Sequence, residues 1–399
     1  MKKKFIGFYD PTEHEIDDAW TNGVFAFDAN TLLNLYRYTD VTRKDFLHVL
    51  KFIKDNLFIP FQVAFEYLNN RINVIDGLEK SYIDLEQSYK VIFENNLKPA
   101  INNYKRHPSI EIQSILKQNE DFLNKISVLL EKQKKKHPDF KTKDYILDEL
   151  TLLFECCIGK EPLKSDLKKI YDEGKERYSD EIPPGYKDIK EKEKKGQRHL
   201  YGDLLIWKEL IEYSKRNKKP LIFVTDDGKD DWWKKENGLT IRPREELIKE
   251  FYDLTGIRIL IYNSDQFLKF AKQRGLVSDL KDKTIEEIKD IRISDESRNE
   301  FLGNLSNFGS NTLIPLNDNT SSFMQSVKNI KNLNYIWPHE FFDTMTKFNQ
   351  TIKIYNDNDY WKRLGDFSKP IQLNTNLNKN RSSIDDSDTS SLSEGDNVK

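Results

Sequence analysis

The feature that most constrains this chain is a repeated alternation. A short, wholly apolar run of β character is followed by a stretch whose apolar residues recur every three or four positions. VFAF (24–27) stops at Asp28, and ANTLLNLYRY then takes up helical spacing. Residues 41–55 carry Phe46, Leu47, Leu50 and Ile53 on one helical stripe. LFIP (57–60) reads as a second buried strand stopped by Pro60, and FQVAFEYLNNRINVI returns to helix. Strands joined through helices in this way belong in a parallel sheet with crossover helices.

The rhythm breaks between 76 and 180, where long charged stretches such as LEKSYIDLEQSYKVIFENNL and FLNKISVLLEKQKKK predict a helical insertion. Lysine runs of this kind are ordinarily the solvated faces of helices. Alternation resumes after a Pro-Pro-Gly turn and a charged loop. A helix is expected from Gly202-Asp203 to about 217, a strand at LIFVT (221–225), a short strand and helix in LTIRPREELIKEFYDLTG, and a last strand in IRILIYN. FLKFAKQRG closes the core near 275. Residues 276–373 form an expected extension of unassigned role, open to a protein partner, with one helix at 284–291 and an aromatic group at 323–363. Residues 374–399 are almost free of apolar side chains and are expected to be disordered, since they cannot bury enough surface to offset ordering entropy.

Bulk composition narrows the function. The 399 residues leave room for two or three domains, and 33% charged residues imply much solvated surface. A net charge of −2 requires any nucleic-acid enzyme here to rely on a local basic track. The only cysteines, Cys156 and Cys157, are adjacent, which excludes a disulfide framework; their apolar surroundings predict core packing. Neither a signal-type apolar region nor a run of roughly 18 apolar residues occurs. The expectation is a cytoplasmic protein without a membrane role.

Ligands of an open parallel sheet bind beyond the carboxyl ends of its strands, and there the sequence places acids. Asp28 follows the first strand, Glu66 lies in the helix after the second, Asp203 opens the helix before the third, and Asp226 and Asp227 follow that strand at once. Taken singly, Asp28 or Asp203 reads as a helix N-cap and Asp226-Asp227-Gly228 as a turn. Taken together they predict a carboxylate cluster, and clustered carboxylates raise one another's pKa unless cations neutralise them. Oxygen donors of this kind suit Mg²⁺ or Mn²⁺. Near the same edge lie Lys187, Lys190, Lys194, Lys195 and Arg198, on a loop whose EKEK charges partly cancel. His199 has no partner that would make it a catalytic base, and Trp232 and Trp233 are expected to pack rather than stack on bases.

FAFDANTLLNLY resembles the first motif of PIN domains, with Asn30 in the small polar place after Asp28. FQVAFEYLNNR looks like the second, with Glu66 as the acid and Arg71 following it. IPPGYKDIK, YGDLLIWKEL and IFVTDDGKDDWW together resemble a bacterial PIN-like subgroup with an enlarged insertion. The likeness spans about 20–275. It implies a PIN-like, Rossmann-like α/β nuclease domain at 1–275, with catalytic and metal-holding Asp28, Glu66, Asp203 and one or both of Asp226 and Asp227. It further implies substrate contacts from Asn30, Arg71, Lys190, Lys195 and Arg198. Small PIN toxins place the third acid soon after the second, whereas here the helical insertion intervenes and is expected to border the cleft.

The implied activity is hydrolysis of phosphodiester bonds, of RNA more than DNA, leaving a 5′-phosphate and a 3′-hydroxyl. A toxin or phage-defence role follows only from the resemblance. The alternative is a non-catalytic PIN-like module that binds RNA or protein. A nucleotide hydrolase is disfavoured because no GxxxxGK[ST] loop occurs.

Overall fold

In the computed structural model, residues 1–295 are described apart from 237, 238 and 278, with the backbone alone for Lys190, Glu191, Glu236 and Leu239. The helices are α1 (Glu13–Asn22), α2 (Ala29–Leu33), α3 (Asp40–Phe52), α4 (Phe61–Ile92), α5 (Lys98–Asn102), α6 (Ile112–Lys134) and α7 (Tyr145–Phe154). They continue as α8 (Lys164–Ser179), α9 (Ile189–Lys192), α10 (Gln197–Leu200), α11 (Gly202–Asn217), α12 (Glu245–Thr255) and α13 (Ser264–Gln273). The strands are β1 (Val24–Phe27), β2 (Leu57–Phe58), β3 (Leu221–Val224), β4 (Trp233–Glu236), β5 (Leu239–Pro243) and β6 (Ile259–Tyr262).

Four strands form one parallel sheet in the order β2-β1-β3-β6. Val24, Phe25, Ala26 and Phe27 pair with Leu221, Ile222, Phe223 and Val224, which in turn pair with Ile259 to Tyr262. Every residue of β1 and β3 is buried, because helices cover both faces; this is why these strands are continuous apolar runs without alternation. Trp20, Phe25 and Phe267 pack as an aromatic group on one side, and Trp207, Phe223 and Trp232 on the other. With about 25 cal/mol gained per Å² of apolar area removed from water, such rings dominate the stabilisation. A bridge between Ile59 and Ile158 extends the sheet beyond β2 and covers part of its edge.

Several expectations shift. The second strand closes at Phe58 rather than Pro60, and α4 runs unbroken from Phe61 to Ile92, so no boundary falls at 76; the helical excursion begins inside this helix. The short strand expected before α12 is β5, which pairs antiparallel with β4 in a separate ribbon. Cys156 is exposed, against the expectation of core packing, whereas the partly covered Cys157 does pack against the core. The chain turns at 155–157 after α7, and this carries Cys156 off the helix's apolar face. Residues 282–295 are helical, wider than the expected 284–291. The rest of the 276–373 extension from 296 onward, with its aromatic group, and the 374–399 tail lie outside the described residues. No helix among the described residues is long and apolar enough to cross a membrane.

Candidate metal centre

The carboxyl end of the sheet gathers acids from five separate segments. Asp28 caps α2, its Oδ1 accepting the Ala29 N–H at 2.7 Å. Its Oδ2 accepts the Thr225 hydroxyl at 2.9 Å and the exposed Asn30 amide at 3.2 Å. The cap and the cluster therefore use the same carboxylate. Burial pushes Asp28 up to about 8, and the nearby charges of Glu66, Asp203 and Asp227 add to the rise. Glu66 projects from α4, where Gln62 of the preceding turn donates to Oε1 at 2.8 Å. Burial and then Asp203 raise it to about 7.

Asp203 lies in the first turn of α11, preceded by Gly202. A Cβ on that glycine would stand 2.3 Å from Glu66 Oε1, so any side chain there would push the Glu66 carboxylate from its place. Gly185, at φ +96°, is likewise required: its Cβ would meet the Tyr178 hydroxyl at 2.2 Å and Asp203 Cβ at 3.1 Å.

Of the adjacent pair after β3, Asp227 faces the cluster. Its N–H donates to Thr225 Oγ1 at 3.1 Å, and its carbonyl accepts the Trp233 indole N–H at 2.7 Å. Asp226 turns the other way. It accepts the Ser264 N–H and hydroxyl at 3.0 and 2.7 Å and the Asn34 amide at 3.0 Å, tying β3 to the start of α13.

Two further acids complete the group. Asp188, in the loop IPPGYKDIK, has a ligand oxygen that lies with those of Asp203 and Asp227 within 4.8 Å of one another. Asp231, fully buried, accepts the backbone N–H groups of Gly185 and Lys187 at 2.9 and 3.2 Å and so pins that loop. Burial, with Asp227 and Asp203, raises it to about 7. Sequence reasoning passes over the aspartate of this loop; for Asp230 and Asp231 it allows an approach to a metal but favours turn positions. The available signal was an Asp three residues after Pro-Pro-Gly.

Two ammonium groups enter the cluster. Lys192 Nζ lies 2.7 Å from Asp188 Oδ2 and 3.2 Å from Asp203 Oδ2. Lys229 Nζ lies 2.8 Å from Asp188 Oδ2 and 2.8 Å from Asp227 Oδ2. Burial raises the carboxyl of Asp188, but Lys229 and Lys192 outweigh it and hold the group below its ordinary value. Neither lysine was among the basic residues singled out from the sequence.

Those that were singled out occupy other positions. Arg198 donates to Gln62 Oε1 at 2.9 Å and lies over the Phe65 ring, 4.0 Å from its centroid, so it supports Glu66 through Gln62. Arg71 donates to Asp144 at 2.7 Å and fastens α4 to the cap of α7. Lys195 is exposed at the end of the short turn Glu193–Lys195, and the side chain of Lys190 lies outside the described residues. Trp232 and Trp233 are buried in the core.

The residues fit a hard divalent cation. Six carboxylates face two ammonium groups, which leaves net negative charge in a buried place. Two buried polar atoms, Asp231 Oδ1 and the Tyr178 hydroxyl, have no hydrogen-bond partner among the described residues. An all-oxygen donor set is the preference of Mg²⁺ and Mn²⁺.

A parallel α/β sheet with carboxylates assembled at its carboxyl edge defines a class of acid-centred α/β domains. The PIN-like domain family model matches residues 24–247, and the chain belongs to that family. Searches of curated proteins and of solved structures found no match.

Proposed function

We propose that this protein is a metal-dependent nuclease that hydrolyses internal phosphodiester bonds, of RNA in preference to DNA. The observation that carries this reading is the meeting of Asp28, Glu66, Asp203 and Asp227, from distant segments, with more negative charge than the protein's own cations offset. A scaffold gains nothing from buried carboxylates that repel each other. Asp28, held by Ala29 and Thr225, and Glu66, held by Gln62, would hold the cation together with Asp203 and Asp227, while Asp188 keeps Lys192 and Lys229. Bound there, Mg²⁺ or Mn²⁺ would supply Lewis-acid polarisation and offset charge on the reacting phosphate and water. The protein's part is to fix the donors, exclude bulk water through the buried Gly185 loop, and present the phosphate. A cytoplasmic setting and a role in bacterial toxin or phage-defence systems belong to the same reading.

A second reading, a non-catalytic PIN-like module that binds RNA or protein, is favoured by one observation: Lys192 and Lys229 already occupy part of the acidic cluster. Purified protein incubated with single-stranded and structured RNA and DNA separates the two. Cleavage with Mg²⁺ or Mn²⁺ that EDTA stops is expected. An intact panel under all metal conditions would leave the binding module as the better account.

A further inference from the structure

The placement of Lys192 and Lys229 carries more than charge balance. The two ammonium groups come from different segments, the end of α9 and the loop after β3, and converge on a single oxygen, Asp188 Oδ2. That carboxylate is itself buried, while the lysine side chains keep 24% and 35% of their surface exposed. Part of each lysine side chain thus reaches the surface beside the cluster. The Lys229 segment is set locally as well, its backbone N–H donating to Asp227 Oδ1 at 3.2 Å.

A divalent cation at Asp203 and Asp227 would compete with both amines for those two carboxylates. Asp188 remains as the second partner of each lysine, so losing Asp203 and Asp227 would leave the amines tethered beside the metal. An ammonium is a compact charge with three donors; one directed at Asp188 leaves others for a new acceptor. Arg198 is engaged with Gln62 and Phe65, Arg71 with Asp144, and Lys195 is exposed on the turn after α9.

We propose that Lys192 and Lys229, gathered by Asp188, bind the non-bridging oxygens of the substrate phosphodiester at the edge of the carboxylate cluster. The inference rests on the phosphodiester reading above. It makes the two lysines phosphate ligands and Asp188 the residue that positions them.

The test uses full-length Lys192→Met and Lys229→Met, which keep a long apolar stem, with the Lys→Arg changes as conservative companions. Lys→Gln versions retain a donor to Asp188 and serve if Met fails to fold. Binding of fluorescein-labelled single-stranded RNA, and of DNA of the same sequence, is followed by anisotropy in Ca²⁺ over a salt series. Mn²⁺ binding is measured separately by calorimetry. Each phosphate contact on a single strand contributes about 0.7 to the slope of log affinity against log salt. Each Met or Gln variant is expected to lose about that much slope and to bind RNA more weakly while taking up Mn²⁺ at least as tightly as wild type. Arg is expected to restore the slope. Unchanged slopes in the folded variants overturn the proposal, as does a change confined to Mn²⁺ affinity, which would assign the lysines to charge balance alone. Wild-type protein that binds but never cleaves sinks the nuclease reading and leaves the slope comparison standing. Wild type that binds neither strand overturns both.

Discussion

Asp28 is the residue on which most converges. It caps α2, is bonded to Thr225, and sits among Glu66, Asp203 and Asp227. Asp28→Asn keeps the shape and the caps while removing one charge. If the cluster holds the metal, this variant and Asp203→Asn should each lose activity beyond the roughly 100-fold typical of outer-shell partners. Melting in EDTA should be unchanged or raised, because neither variant can place a repelling charge at that position as pH rises. Cleavage at wild-type rates by both folded variants would place the chemistry elsewhere. The same group predicts a pH dependence. Asp28 at about 8, and Glu66 and Asp231 at about 7, hold protons in the folded protein that the unfolded chain has already released. These groups therefore favour the fold at low pH, and that contribution fades as pH rises between about 5 and 8. Melting curves in EDTA should fall over this window, and Mn²⁺ affinity should rise over it as protons are displaced. A flat profile would mean that these carboxylates are already neutralised in solution.

At the scale of elements, the helical excursion is secured to the sheet domain by polar ties as well as apolar ones. Asp144 caps α7 through the Leu147 N–H and also receives Tyr36 and Arg71, the former at 3.0 and 2.8 Å. Arg43 reaches from α3 to the Leu35 and Tyr38 carbonyls and to Tyr145. On the other side Arg177 of α8 pairs with Glu250 of α12 at 2.6 Å and bonds the Pro183 carbonyl, so α8 is anchored to the loop that carries Asp188. Asp144→Ala removes a cap worth about 1 kcal/mol and leaves a largely covered guanidinium short of its partner, for a loss of roughly 2–4 kcal/mol. Urea unfolding should show this loss while Mn²⁺ affinity at the distant carboxylates stays as in wild type. A parallel fall in metal affinity would show that the excursion and the site are coupled.

For the whole molecule, a site with uncompensated negative charge makes folding depend on cations. A ligand that binds only the folded state, at about a hundredfold above its Kd, stabilises by about 2.7 kcal/mol. For a domain of this size that corresponds to roughly 5–10 °C in melting temperature. Mg²⁺ or Mn²⁺ should raise the melting temperature by such an amount and EDTA should reverse it. Equal melting with and without divalent ions would argue against a resident metal.

Local pattern was enough for the parallel sheet and for where its acids would stand. A strand buried on both faces must be a short apolar run, and Asp28, Glu66, Asp203 and the pair Asp226-Asp227 lie close to such runs in the chain. It did not decide between Asp226 and Asp227. Neighbouring side chains on an extended backbone point opposite ways, and the choice is made by Ser264 and Asn34, which lie far along the chain and take Asp226. Tertiary structure alone decided the rest. Arg71 and Arg198, placed near the acids by sequence proximity, are drawn to Asp144 and to Gln62 and Phe65. Asp188, Lys192 and Lys229 look like ordinary loop charges until folding brings them to one oxygen. The physical reason is that helical and strand periodicity report which side of an element is buried. Pairing between charges on separate segments depends on long-range packing, which local spacing does not encode.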